Sequence, residues 1–214
     1  MPFSIRTSRR RGTLLGLVGV LAACCAVTPA ARAATISNPY SCTTAGQTLS
    51  QIFAPFGDTA YYTPVSNSGL ENGLGGWTLG GGAAVVADNE PWYVGGAGTH
   101  ALDLPNGSSA VTAPICIDPT YPYFRFFAKN VNANGANLQV EVLSYDNTGR
   151  VQKTQAVYDT SSAAGWQATG KFNITVFSGT IVTGAAPVAF RFVPMGKSAH
   201  FRIDDVYVDP WSRH

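Results

Sequence analysis

From Tyr123 to Lys129 the chain puts Phe124, Phe126 and Ala128 on one side of an extended backbone, with Arg125 and Lys129 on the other. That period of two recurs. Leu138, Val140 and Val142 alternate with Gln139 and Glu141; Phe172, Ile174 and Val176 alternate with Lys171, Asn173 and Thr175; Phe190 and Phe192 flank Arg191, and Phe201 and Ile203 flank Arg202. Alternation of this kind marks half-buried strands, because successive strand side chains point to opposite faces. Weaker runs lie at 77–79, 83–87, 101–104, 109–117, 180–182 and 206–208. Helical periodicity is nearly absent, and the one candidate, Val151 to Tyr158, is short and rich in β-formers. The breaks carry turn chemistry, at Asn106-Gly107, Asn134-Gly135, Asp146-Asn147-Thr148-Gly149 and Ala164-Gly165. Many short strands with no helices between them predict an all-β fold, an antiparallel β-sandwich of jelly-roll type. Without linker or repeat, one domain over 64–214 is expected, preceded by an irregular segment at 34–63.

Residues 1–33 read as an address. Arg6, Arg9, Arg10 and Arg11 precede an apolar stretch from Thr13 to Val27, and Ala31-Arg32-Ala33 supplies the small residues of a cleavage site. This order is that of a secretory signal peptide, and the apolar run is too short for a comfortable membrane span. The Ser8-Arg9-Arg10-Arg11 stretch resembles a twin-arginine export signal. Leu21-Ala22-Ala23-Cys24 resembles a lipobox, so a lipid anchor on Cys24 is the alternative to cleavage after Ala33. Either route predicts an exported protein with no transmembrane segment in the mature chain.

Removing the address reverses the charge. The whole chain has 14 basic and 12 acidic side chains; residues 1–33 hold five of the basic ones and none of the acids, leaving a net of −3. With no Lys/Arg cluster left, nucleic acid is not an expected partner. Cys42 and Cys116 are the cysteines that remain, and in an exported chain two cysteines point to a disulfide rather than to free thiols.

Asn67-Ser68-Gly69-Leu70-Glu71-Asn72-Gly73, followed by Trp77, resembles the opening motif of jelly-roll carbohydrate-binding modules of the galactose-binding-like type. Phe201-Arg202-Ile203-Asp204-Asp205-Val206-Tyr207-Val208 resembles their last strand, and the length between the two motifs suits them. Leu70 stands where the motif usually has Phe. The same motifs occur in secreted actinobacterial proteins of unassigned role. The resemblance implies a structural calcium ion ligated by Glu71 and Asp205, with Asp204 as the alternate, and a structural Trp77. Calcium takes six to eight oxygens, which first and last strands lying side by side can help supply. Asp204 and Asp205 are strand neighbours, so they cannot both turn inward without a bulge.

A sugar site needs a flat aromatic face and planar polar side chains beside it. Trp92 and Tyr93 lie in the Pro/Gly-rich stretch Asn89-Glu90-Pro91-Trp92-Tyr93-Val94-Gly95-Gly96, and binding residues concentrate on such loops. Asn89, Glu90 and His100 are the hydrogen-bonding neighbours expected there. A second candidate surface is the polar strand face of Arg125, Gln139, Glu141 and Arg191, bordered by Tyr123 and Tyr145. Trp166 opens a strand and reads as a packing residue. Catalytic motifs are missing: there is no Gly-x-Ser-x-Gly elbow, no His-Glu-x-x-His and no phosphate loop. The expected function is non-catalytic binding of a cell-wall or extracellular polysaccharide. A surface structural or adhesion protein without sugar affinity, and a secreted hydrolase with an unfamiliar site, are the alternatives.

Overall fold

The computed structural model describes residues 42–118, 122–133, 135–145, 149–159, 164–174 and 185–209, with the backbone alone over 152–159. The signal segment, Cys24, the run at 180–182, Trp211 and most of the 146–149 turn lie outside the described residues. The described residues fall within one compact unit, Ser37–His214.

Thirteen described strands form two antiparallel sheets. They are β1 (Thr63–Pro64), β2 (Thr78–Gly80), β3 (Ala84–Ala87), β4 (His100–Pro105), β5 (Ser109–Val111), β6 (Ile115–Ile117) and β7 (Tyr123–Asn130). Then follow β8 (Asn137–Tyr145), β9 (Val151–Asp159), β10 (Gln167–Ala168), β11 (Phe172–Asn173), β12 (Ala186–Met195) and β13 (His200–Asp209). The first sheet runs β10-β7-β13-β4-β3, with β11 also on β7 and β1 on β13; the second runs β2-β5-β12-β8-β9, with β6 on β12. No α-helix occurs among the described residues. The 151–158 run is thus strand, as its β-branched content requires.

The alternation decides what lies between the sheets. Phe124, Phe126 and Ala128 of β7 meet Val188, Phe190 and Phe192 of β12, together with Leu138, Val140 and Val142 of β8, and all are buried. The Phe124 and Phe190 rings lie 4.5 Å apart, and Phe126 meets Phe192 edge-on at 5.2 Å. A buried Phe contributes about 2–3 kcal/mol, so these rings carry much of the join between sheets. Trp77 is buried and stacks on Phe192, and its indole N–H donates to the carbonyls of Ser66 and Asn67. Both opening-motif residues Leu70 and Trp77 therefore serve the core.

A second, smaller core covers the other face of the first sheet. Phe127 points away from Phe126, and Phe53, Ala60, Tyr62 and Tyr207 enclose it. Phe53 stacks on Phe127 at 5.6 Å and meets Tyr62 edge-on at 5.0 Å. The segment from Cys42 to Tyr62 is mostly irregular, with one short 3-10 turn at Ala54–Phe56, and acts as a strap. Cys42 is bonded to Cys116 of β6, in the second sheet. Gln47 Nε2 donates to the Cys116 carbonyl at 2.8 Å, and Ser50 bridges to Tyr62. One end of the strap thus rests on the second sheet, and Phe53 is buried on the first.

Strand β13 changes partner along one edge. His200 to Ile203 pair with β4, whereas Tyr207 and Val208 pair with β1, and the register against β7 shifts between Asp204 and Tyr207. Asp205 takes a left-handed backbone, with φ of 49°. This is the bulge that two adjacent inward acids demand: Asp204 and Asp205 are both buried.

Candidate functional site

The bulge receives the loop that joins β3 to β4. Glu90, fully enclosed, accepts hydrogen bonds from the backbone N–H of Trp92 at 2.5 Å and of Val94 at 2.6 Å. Asp204 Oδ2 accepts from Glu90 N at 3.1 Å, and Asp205 Oδ2 from Gly95 N at 3.0 Å. Three buried acids thus hold four backbone donors of one loop. The loop passes between two hollows.

The first hollow, about 220 Å³, has Glu71, Asn89, Gly69, Gly95, Gly98 and Asp205 in its wall. Its chemistry is acidic. Burial, reinforced by Asp205, pushes the Asp204 carboxyl up to about 8. Burial also raises Asp205, to about 6, against the lowering effect of the Gly95 N–H. A Cβ at Gly95 would overlap Asp205 Oδ1, and one at Gly98 would overlap Asn89 Oδ1, so a larger residue at either place would have to displace these side chains. Glu71 has a different commitment. Its Oε1 accepts the Thr99 and His100 backbone N–H groups at 2.8 Å each, and its Oε2 faces Thr99 Oγ1 at 3.2 Å and His100 Nδ1 at 3.1 Å. Burial would raise its pKa, but these hydrogen bonds, His100 first, outweigh burial and lower it. Glu71 therefore fastens the start of β4. Side-chain oxygens of Asp205, Asn89 and Glu71 share this hollow, the donor type a hard cation takes. But Glu71 is already engaged by Thr99 and His100, and no three acidic, His or Cys side chains converge at ligand spacing among the described residues.

The second hollow, about 320 Å³, is lined by Phe56, Trp92, Arg125, Trp166, Gln167 and Ala168. Trp92 is 46% exposed. Its ring is braced by Phe56, edge-on at 5.1 Å, and by Phe127 at 5.4 Å. Trp166 is half-buried, with Lys129 Nζ 5.0 Å above its ring. Arg125 enters from β7. Its Nη1 pairs with Asp58 at 2.8 Å, its Nε donates to the Thr169 carbonyl at 2.8 Å, and its guanidinium lies 4.3 Å over Phe53.

Measured against the expected site, the loop is redistributed. Trp92 and Tyr93 are exposed, as a binding role requires. Glu90 is sealed and shapes the loop, so it is not available to a ligand. Asn89 lies on the acidic hollow, with its Nδ2 on the Glu90 carbonyl, rather than beside Trp92. His100 belongs to the Glu71 cluster. The expected polar strand face does not exist as one surface: Arg125 lies on β7 of the first sheet, whereas Gln139, Glu141 and Tyr145 lie on β8 and Arg191 on β12, in the second. Alternation reveals which side chains share a side of one strand, but not which sheet a strand joins. In the second sheet Glu141 is buried and engaged by Gln139 at 2.7 Å and Arg191 at 3.2 Å. Trp166 was expected to pack; it does so, and its indole also walls the second hollow. Phe56 and Gln167 also wall this hollow, and no local signal in the sequence marks either one.

The sandwich has the architecture of carbohydrate-binding-module jelly rolls. A Clostridium thermocellum xylanase structure, in which a family 22 carbohydrate-binding module is joined to a family 10 glycoside hydrolase module and complexed with xylohexaose, matches 71% of this chain at a TM-score of 0.50 and 13% identity. The chain spans 28% of that protein's length. Two isolated modules match at a TM-score of 0.42 each. One is a family 61 module in complex with β-1,4-galactotriose, at 16% identity, covering 67% of this chain and 95% of the module. The other is a xylan-binding family 22 domain from Paenibacillus barcinonensis, at 15% identity, covering 66% and 90%. No protein-family profile matches the sequence, and no curated protein does.

Proposed function

We propose that this is an exported, non-catalytic module that binds a polysaccharide of a cell wall or extracellular matrix in the hollow beside Trp92. The observation that carries this reading is a half-exposed indole, braced from behind by Phe56 and Phe127, facing a hollow with Trp166, Arg125 and Gln167 in its wall. Indole faces take the C–H side of a pyranose, and planar amide and guanidinium groups take its hydroxyls. The glycan-bound modules of the same architecture support it. Trp92→Ala should lower retention on insoluble polysaccharides about tenfold or more while the melting temperature moves little. Equal retention of wild type and variant would overturn the site, and no retention on any glycan would favour a structural or adhesive role.

The acidic hollow suits a structural calcium ion, with Asp205 as the central ligand and Glu71 and Asn89 as neighbours. Bound there, calcium would offset the charge of carboxylates whose ionisation burial disfavours. Asp205→Ala should lower the melting temperature in calcium and not in chelator; an equal loss in both would remove calcium from the account. Export predicts a mature chain beginning at Ala34, or a lipidated Cys24, and intact mass spectrometry of the secreted protein separates the two.

A further inference from the structure

The hollow beside Trp92 has a charge character that its aromatic walls do not disclose. Of its six lining residues none is acidic, and the one charged group is Arg125. Two nitrogens of that guanidinium are engaged, Nε by Thr169 and Nη1 by Asp58. Nη2 makes no hydrogen bond with any described residue, and Arg125 stands in the wall of the hollow.

Asp58 does not cancel Arg125 alone, because the same carboxylate also pairs with Lys171, at 2.7 Å. One acid therefore faces two cations. On the Trp166 side, Lys129 sits over the indole, and its own partner Asp88 is shared with Arg202 at 2.6 Å. Asp58 and Asp88 are thus each committed to two basic groups, while Arg202 also pairs with Asp103 at 2.7 Å and Glu90, behind Trp92, is closed on backbone N–H groups. Asp204 and Asp205 belong to the bulge, and Asp205 to the wall of the other hollow.

From this we infer that the hollow selects an acidic sugar, a uronic acid residue within a polysaccharide, whose carboxylate meets Arg125 Nη2 while its ring lies against Trp92. A guanidinium N–H makes a stronger, charge-assisted hydrogen bond to a carboxylate than to a neutral hydroxyl, and the aromatic walls around it strengthen that bond. A neutral sugar would leave those donors to water. The one charged residue in the wall of this hollow is thus a cation, in a chain whose net charge without residues 1–33 is −3.

The inference rests on the glycan reading of the same hollow, and the test separates the two. Affinities of the full protein for oligogalacturonate and for the same oligomer with its carboxyl groups reduced are compared by calorimetry, at about 50 mM and 500 mM salt. The acidic oligomer should bind about tenfold more tightly at low salt, with the margin shrinking at high salt. Arg125 is buried with Asp58, and its replacement risks unfolding, so the variant is Gln167→Glu, at an exposed position of the wall. A new carboxylate there should lower the ratio of acidic to neutral affinity about tenfold. Equal affinities, or a ratio unchanged by Gln167→Glu, overturn the acidic-sugar inference while the glycan reading stands. Binding of neither oligomer, nor of any polysaccharide, overturns both.

Discussion

Glu90 governs how Trp92 is presented, although it touches nothing outside the protein. Its carboxylate closes the turn by holding two N–H groups, one of them that of Trp92 itself. An amide keeps the shape but turns an NH₂ toward a backbone donor and leaves it unsatisfied, which costs about 1–3 kcal/mol. Glu90→Gln should therefore weaken glycan retention several-fold and raise the acrylamide quenching of Trp92, with a modest fall in melting temperature. Unchanged quenching would mean that the indole keeps its place without the carboxylate. Nothing local distinguishes Glu90 from a ligand-binding acid in the sequence, since a polar residue in a Pro/Gly loop is normally solvated. Its burial follows from the bulge at Asp204 and Asp205 in the last strand, 114 residues away for the Glu90–Asp204 bond.

Strand β7 shows where pattern reading succeeds and where it stops. Alternation placed Phe124, Phe126 and Ala128 on the inner face, and the partner strands β8, β12 and β13 were equally legible because one face of each is apolar. Phe127 broke the alternation, and that break was the trace of a second core whose other members lie in the strap. Arg125 read as a surface cation for the same reason: its covering segment is irregular and has no period. The covering is electrostatic as well as apolar. Burial by itself would raise the Asp58 carboxyl, but hydrogen bonds from Lys171, Tyr62, Arg125 and the Ala60 N–H outweigh burial and hold it at about 2. A depressed folded pKa stabilises the protein above the unfolded value near 3.8, and that contribution fades as pH falls toward 2. The share at stake is on the order of 2 kcal/mol. Acid titration of the melting temperature should show this loss between about pH 4 and 2, and Asp58→Asn should flatten it. At neutral pH the same variant leaves Arg125 buried without its counter-charge and should cost about 3–5 kcal/mol.

Across the whole molecule the strap ties the two sheets together, covalently at Cys116 and by burial at Phe53. The bond closes a loop with a sequence separation of 74, worth up to about 4 kcal/mol in the chain-entropy account. Replacing both Cys42 and Cys116 by Ser should lower the melting temperature by about 10 °C, while glycan retention at room temperature survives because Phe56 is still held by the aromatic cluster. Two separated melting transitions in that variant would show that the strap leaves the sheet before the sandwich melts. The strap also bears on how such a module could be moved between proteins. A cut at Thr63, where the first strand begins, looks natural on a diagram of strands. It would strip Phe53 and Tyr62 from Phe127, take away Phe56 from behind Trp92 and leave Arg125 without Asp58. The smallest portable unit therefore starts upstream of Ser50, and a fusion joined at the first strand would carry a sandwich with the hollow beside Trp92 dismantled.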